Sequence, residues 1–225
     1  MPDTQPHNPR PDLLNAKMTS EAYRPGRIVL DLGFFRQCYP FYGFDLIWQA
    51  AMFLVLSLAF AVLTNMSASQ PLLFLVPAAC AAFITLIVTI LHKRLRTGLY
   101  NGCTCPAVVI SESPCLVSVL TDMDAGGIGF SPAIKVIAAP LNKSSRQRFK
   151  IGDRLPAVAT YTQESPGPRW DDFNPIPADC ATKDIAAIDR LVSELNADPE
   201  AWTNLDHYSK LLPTPIKPGL FKMYT

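Results

Sequence analysis

Cysteine residues in the middle of the chain are the strongest candidates for chemistry. Cys103 and Cys105 are separated by a single residue, and Cys115 and Cys180 follow at longer intervals. Thiolates bind zinc well, but structural zinc sites normally use two closely spaced pairs of the C-x2–4-C type. The C-x-C spacing with scattered partners makes these four residues weak metal candidates, and buried thiols are the preferred interpretation. No cofactor is predicted.

Acidic residues provide two further patterns. Asp171 and Asp172 are adjacent carboxylates, but neighbours in sequence seldom face one substrate, so a solvated loop is preferred over acid–base catalysis. The segment 122–127 begins like a calcium loop, with glycine at its sixth position. Its twelfth position is Ala133 instead of the bidentate glutamate that calcium loops use. A connection between strands is therefore predicted there.

Basic and imidazole side chains do not complete a catalytic set. The three histidines, His7, His92 and His207, are far apart in sequence and form no recognisable pattern with a nucleophile. A basic run follows the middle of the chain and consists of Lys143, Arg146, Arg148 and Lys150. It could contact anionic headgroups or an acidic partner, or it could form a solvated hairpin tip. An enzyme is therefore not predicted.

One long apolar stretch determines the predicted architecture around these residues. No Asp, Glu, Lys, Arg or His occurs between Leu46 and Leu91. A membrane-crossing helix needs about 20 apolar residues, so this stretch is long enough for two. The polar run 64–71 divides it. The pattern predicts a two-span transmembrane hairpin at 43–92, with spans at Phe44–Leu63 and Pro71–Leu91.

Small residues recur at a spacing of four within both predicted spans. These are Ser57 with Ala61 and Ala78 with Ala82. Such spacing lets two helices approach closely and pack. Transport and proton-relay pathways normally place ionisable groups inside the membrane, and none occurs here. The hairpin is therefore predicted to be an anchor or a docking surface.

Positive charge flanks both outer ends of the predicted hairpin. The flanking residues are Arg24, Arg27 and Arg36 before it and Lys93, Arg94 and Arg96 after it, and Trp48 suits a membrane interface. The positive-inside rule then predicts a multi-pass protein of the cytoplasmic (inner) membrane, with the lipid bilayer as a partner and both termini in the cytoplasm. The collar could anchor the topology or hold anionic headgroups.

Charge and composition divide the rest of the chain. Lys and Arg number 20 against 19 Asp and Glu, and this balance does not indicate nucleic-acid binding. Residues 1–26 are predicted to be an irregular, proline-rich arm, and residues 27–42 a short interfacial segment.

The soluble part shows a different periodicity. Short β-branched runs at 107–110, 115–120, 134–137 and 155–161 predict a small, partly open β-barrel of SH3-like or OB-like type at 97–163. A proline-rich connector is predicted at 164–181, a two-helix segment at 182–212 and a tail at 213–225. Thr182 and Asp198-Pro199 are the predicted helix starts. The predicted fold class is thus a membrane α-helical hairpin plus an α+β soluble domain.

Three motifs in the soluble part carry a resemblance to a known family. They are Pro132-Ala133-Ile134-Lys135-Val136-Ile137, Gly152-Asp153-Arg154-Leu155-Pro156 and Trp170-Asp171-Asp172-Phe173-Asn174-Pro175-Ile176-Pro177. Over about residues 105–212 the chain resembles a bacterial domain family of unknown function. The resemblance implies strand, turn and packing positions and no reaction. The arm and the hairpin lie outside it.

The functional hypothesis combines these predictions. A charge-free hairpin, a proline-rich arm and no catalytic motif favour a non-enzymatic inner-membrane accessory or assembly subunit of a larger membrane complex, with a respiratory-chain complex as one candidate host. Other subunits of that complex would be its partners, and nucleic acid would not. The alternative is a membrane-tethered module that binds a small molecule or a lipid headgroup.

Overall fold

Strands and helices account for most of the described chain. The computed structural model describes residues 24–39, 51–52, 55, 72–125, 129–139, 141, 149–163 and 167–223. The helices are α1 (Leu32–Cys38), α2 (Leu72–Asn101), α3 (Ala178–Ala181), α4 (Ile185–Asn196) and α5 (Pro199–Ser209). The strands are β1 (Cys103–Glu112), β2 (Cys115–Asp122), β3 (Pro132–Ala138), β4 (Arg154–Thr162), β5 (Asp172–Pro177) and β6 (Gly219–Lys222).

The described residues belong to two compact units. One unit combines the chain up to Cys38 with residues 97–225, and it holds all six strands. The other comprises residues 39–96 and includes most of α2. The residue at which α2 passes from one unit to the other is Thr97.

The six strands form one antiparallel sheet in the order β5-β4-β1-β2-β3-β6. β1 and β2 are central and almost entirely buried, which explains their nearly continuous apolar sequence. Strands β5 and β3 are four places apart, so a flat sheet would separate them by roughly 19 Å. Lys135 Nζ on β3 nevertheless lies 2.9 Å from both carboxylate oxygens of Asp172 on β5. The sheet must therefore curl into a half-barrel.

Alternation along the strands gives the sheet two apolar faces. One face packs against α4 and α5 in a cluster of buried residues: Val108, Leu116, Leu120, Ile134, Val136, Leu195, Ala201, Trp202, Leu205 and Leu212. The residues between them, such as Ala107, Val119 and Leu155, point into the concave face of the half-barrel and are at most 1% exposed. The core of the unit thus lies on both sides of the sheet.

Helices α4 and α5 begin where polar side chains satisfy free backbone N–H groups. Asp184 caps α4 by accepting from Ala187 N, and Asp198 caps α5 by accepting from Glu200 N, with Pro199 at the first helical position. The first of these caps lies two residues beyond Thr182, the predicted start. Thr182 Oγ1 instead accepts from Asp184 N and orders the turn before the helix.

The predicted transmembrane hairpin at 43–92 is contradicted. Among the residues that the structure describes, no helix is both long enough and apolar enough to cross a membrane. The second predicted span was ended at Leu91 because charge begins there, but α2 continues through Lys93, Arg94 and Arg96, which are good helix formers. The first span lies largely outside the described residues. The predicted inner-membrane location with cytoplasmic termini is contradicted by the same finding.

The predicted SH3-like or OB-like barrel at 97–163 also needs correction. The sheet is open, because its edge strands β5 and β6 pair only with β4 and β3. Both edge strands lie outside 97–163: β5 is in the predicted connector and β6 in the predicted tail. Pro175 and Pro177 favour a connector in the sequence, yet proline is compatible with an edge strand because backbone nitrogens on its outer side need no ladder partner.

Candidate functional site

A tight turn between α2 and β1 places the C-x-C motif at the start of a central strand. Gly102 N donates to Gly98 O at 2.7 Å, and a Cβ at Gly102 would lie only 2.7 Å from Ala159 O and 2.8 Å from Val158 Cγ1. Only glycine fits this approach without displacing backbone. The turn therefore fixes where Cys103 begins the strand.

Residues 24–26 lie beside the start of β1. Thr104 N donates to Arg24 O and Gly26 N donates to Gly102 O, both at 2.8 Å, and Pro25 forms a bridge with Cys103. Arg24 also reaches α5, where its guanidinium contacts the Asp198 carboxylate at 2.7 Å. The arm is thus hydrogen-bonded to the strand and ion-paired to a helix.

Cys103 and Cys105 lie on the concave face of β1, since residues two apart share a face of a strand. Cys103 is partly exposed, whereas Cys105 is buried with 2% exposure. The Cys105 thiol donates to Thr121 Oγ1 on β2 at 3.4 Å, and Thr121 Oγ1 in turn shares a hydrogen bond with the Tyr161 hydroxyl on β4. Tyr161 packs against Trp170 and Phe173 with ring centroids 5.5 and 6.3 Å away. We call Cys103, Cys105, Thr121 and Tyr161 the thiol cluster.

The two thiols of this cluster differ in acidity. The neighbouring Cys105 side chain is the main cause that lowers the pKa of Cys103; burial opposes it, and the Tyr161 hydroxyl and the charge of Arg24 lower it further. The proximity of Cys103, together with burial, raises the pKa of Cys105 well above its usual value. Burial is likewise the main cause that raises the pKa of Tyr161. The cluster therefore makes Cys103 more acidic than an ordinary thiol and Cys105 and Tyr161 less acidic than usual.

The four cysteines suggested as weak metal ligands do not come together. Cys115 begins β2 at the opposite end of the β1–β2 ladder, paired with Glu112. Cys180 lies on α3 beside Cys38 of α1, and both are buried. The hydrogen bond with Cys38 and burial raise the pKa of Cys180. Within the described part of the chain, no three His, Cys, Asp or Glu side chains cluster in a way that could hold a metal ion.

The carboxylates of the predicted acidic motifs have structural contacts. Asp172 accepts from Lys135, and Asp171 N donates to Thr162 O at 3.0 Å. Asp122 Oδ1 accepts from Asp124 N at 3.0 Å and from Ser131 N at 2.8 Å, so it orders the connection between β2 and β3. The carboxylates of Asp172 and Asp122 therefore have structural roles.

The remaining predicted residues are distributed over both units. Arg27 has a positive φ of 47° and donates its N–H to Tyr100 O, while Arg36 lies in the last turn of α1. The basic residues Lys93, Arg94 and Arg96 and the small residues Ala78 and Ala82 lie on α2. His92 is on α2 and His207 on α5. Outside the described residues lie His7, Trp48, Ser57, Ala61, Lys143, Arg146 and Arg148.

Sequence reasoning found the cysteines but not their neighbours. Period-two alternation places Cys103 and Cys105 on one strand face, and this signal was available. The pairing of β1 with both β2 and β4, which brings Thr121 and Tyr161 to the same place, depends on register and long-range order. Arg24 was interpreted as a membrane-flanking charge because nothing in the sequence links it to residues 80 positions later.

A family model and a solved structure are similar to parts of this chain. The family model described as "Protein of unknown function (DUF3239)" matches residues 95–212, which confirms the predicted resemblance. No curated protein matches the chain. A crystal structure from Corynebacterium diphtheriae, described as a "putative membrane protein", is 25% identical with a TM-score of 0.42, over 53% of this chain and 99% of that one. Such a TM-score does not establish a shared fold. Because the family match spans more than half of the 225 residues, the chain belongs to the DUF3239 family.

Proposed function

We propose that the chain is a non-enzymatic accessory subunit that binds one partner protein through α2. The observation that carries this proposal is a row of exposed apolar side chains on that helix. Phe83 is 62% exposed, Leu86 56% and Ile90 44%. Spacings of three and four residues place them on one helical face. Single exposed apolar residues are ordinary, but a contiguous apolar patch marks an interaction surface.

Two basic residues extend this helical face and indicate the chemistry of the partner. Lys93 and Arg94 come three and four residues after Ile90, so they extend the same row by one turn, and both are exposed. A matching protein would offer an apolar groove bordered by carboxylates, which is the helix-in-groove mode of recognition. We call Phe83, Leu86, Ile90, Lys93 and Arg94 the docking row.

Crosslinking in the native cell tests the proposal. A photoreactive amino acid at position 86 of the full chain should give one discrete protein adduct. The matched control is position 211, since Leu211 is 58% exposed but belongs to the other unit. The captured protein is then purified and its affinity for the full chain is measured.

The variants decide whether the docking row is responsible. Leu86→Glu places a charge in the apolar contact and should weaken the reconstituted complex at least tenfold, about 1.4 kcal/mol. Lys93→Glu should weaken it and reduce its salt dependence, because it removes complementary charge. Leu211→Glu should leave the affinity unchanged. An absence of adduct, an adduct with a second copy of the chain only, or full affinity of Leu86→Glu would overturn the proposal.

A further inference from the structure

We propose that Cys103 is a site of reversible oxidation by hydrogen peroxide, with Cys105 as the resolving thiol that converts it to an intramolecular disulfide. This inference is independent of the docking row. It assigns a role to the thiol cluster, which the proposed function does not use.

The geometry of the cluster separates the two thiols into an attacking and a resolving group. Cys103 is partly exposed at the first position of β1, whereas Cys105 lies two residues further in and is buried. The Cys105 thiol lies 3.5 Å from Cys103 O and 3.4 Å from Thr121 Oγ1, which shares a hydrogen bond with the Tyr161 hydroxyl. Thiols that sense peroxide are accessible, deprotonate readily and lie next to a resolving cysteine. Cys103 is partly exposed, lies two residues before Cys105 on the same strand face and has a lowered pKa.

The other described cysteines lack at least one of these conditions. Cys38 and Cys180 contact each other but are only 1% and 0% exposed, so peroxide cannot reach them in the folded state. Cys115 is partly exposed, but burial raises its pKa, which lowers the fraction of thiolate. Cys115 is therefore an internal control whose pKa shifts in the opposite direction.

The reaction has two balanced steps. The Cys103 thiolate attacks one peroxide oxygen, the O–O bond breaks, and the departing hydroxide takes up a proton to become water while the sulfur becomes a sulfenic acid. The Cys105 sulfur then attacks the Cys103 sulfur and releases its proton; the S–O bond breaks and a second water leaves. Overall, two thiols lose two electrons and two protons, and one peroxide is reduced to two waters.

The resulting disulfide would be readily reduced. Residues two apart in a strand have Cα atoms about 6.6–6.8 Å apart, the upper limit of the range that a disulfide spans. Strained disulfides have higher reduction potentials and are the labile, regulatory ones. Oxidation would also remove the thiol proton that Cys105 donates to Thr121. A small thiol such as glutathione could therefore reverse the modification.

A peroxide time course with the full-length protein tests this inference. Sulfenic acids are trapped with dimedone, free thiols are blocked with N-ethylmaleimide, and both are located by tandem mass spectrometry. Dimedone should label Cys103 faster than Cys115, because the lower pKa of Cys103 gives it the larger thiolate fraction. The label should rise and then fall as a Cys103–Cys105 disulfide, lighter by two hydrogens, accumulates.

Variants separate the roles of the two thiols. Cys105→Ser should make the Cys103 sulfenic acid persist, Cys103→Ser should abolish the disulfide without labelling Cys105, and Cys115→Ser should change nothing. If Cys105→Ser does not fold, the time course of the natural protein decides by itself. Equal rates at Cys103 and Cys115, or oxidation of Cys103 while Cys105 stays free, would overturn the inference.

Discussion

Arg24 influences two acidic groups on different elements. Its charge is one of the contributions that lower the pKa of the Cys103 thiol on β1. Its guanidinium also hydrogen-bonds to the carboxylate of Asp198, the cap of α5. Burial alone would raise the pKa of Asp198, but this hydrogen bond, the N–H of Glu200 and the positive charge of Arg24 together hold it below its ordinary value of 3.8.

The lowered pKa of Asp198 predicts how stability changes with pH. A carboxyl whose pKa is lower in the folded state stabilises the fold above its unfolded pKa, and this contribution is lost as the pH falls through the folded value. Asp198→Asn should therefore lose about 0.2–1 kcal/mol at neutral pH, because the partners are partly exposed. The difference from the natural protein should shrink in acid. Urea unfolding over a pH series measures it.

Two comparisons make this pH prediction specific. Asp198→Ala also removes the cap and should cost about 0.5–2 kcal/mol, more than Asp198→Asn. Asp206→Asn removes a more exposed ion pair with Arg154 and serves as the matched control. A pH-independent difference between Asp198→Asn and the natural protein would contradict the ion-pair explanation.

At the scale of elements, Gly102 is the residue that connects α2 to β1. We expect Gly102→Ala to lower the free energy of unfolding by about 1–3 kcal/mol, because the methyl group would meet the carbonyl oxygens of Gly98 and Ala159. Chemical denaturation followed by circular dichroism measures the change.

Gly33→Ala is the matched control for this turn. Gly33 lies in α1, and a Cβ there would meet only Asp31 Oδ1, at an ordinary 3.5 Å. Alanine is favoured over glycine in a helix by up to about 1 kcal/mol, so this variant should be unchanged or more stable. If both variants lost the same stability, the close approach at Gly102 would not be the cause.

Elements with strong local patterns were predictable and those without were not. The β-branched runs indicated β1 to β4, and Asp198-Pro199 indicated the start of α5, because local propensity and packing agree at these places. Residues 172–177 contain two prolines and residues 219–222 are very short, so β5 and β6 gave no usable signal. The apolar run in 46–91 indicates helix, but the structure contradicts its interpretation as two membrane spans.

At the scale of the whole molecule, Lys135 joins strands that the ladder keeps apart. Its ammonium donates to Asp172, to Phe173 O at 2.7 Å and to Asn174 Oδ1 at 3.2 Å. Lys135→Met keeps the apolar stem but leaves these acceptors without their donor. We expect a loss of about 1–3 kcal/mol in unfolding free energy, and faster hydrogen exchange in β5.

The control for the Lys135→Met variant removes an ion pair on the surface of the same unit. Lys183 lies 3.9 Å from Asp31, and their side chains are 54% and 38% exposed. Lys183→Met should change the unfolding free energy by no more than about 1 kcal/mol. Closure of the half-barrel by Lys135 would be refuted if the two variants were equally stable.

The thiol cluster also belongs to this largest scale, because its members come from three strands and the charge of Arg24 acts on it from a distant part of the chain. Sequence spacing could place Cys103 beside Cys105, but the approach of Tyr161 and Arg24 depends on strand order and on contacts between distant parts of the chain. The candidate cysteines could therefore be identified from the sequence, whereas the neighbouring groups that change their acidity could not.

The two edges of the sheet have a consequence for assembly. Strand β5 carries Pro175 and Pro177, which have no N–H to offer, and β6 is only four residues long. Long, regular edges invite pairing with strands of other chains, and prolines and short edge strands discourage it. Growth of this sheet from molecule to molecule is thus disfavoured at both ends, which protects the protein against fibrous aggregation and leaves its helices as the surfaces for recognition.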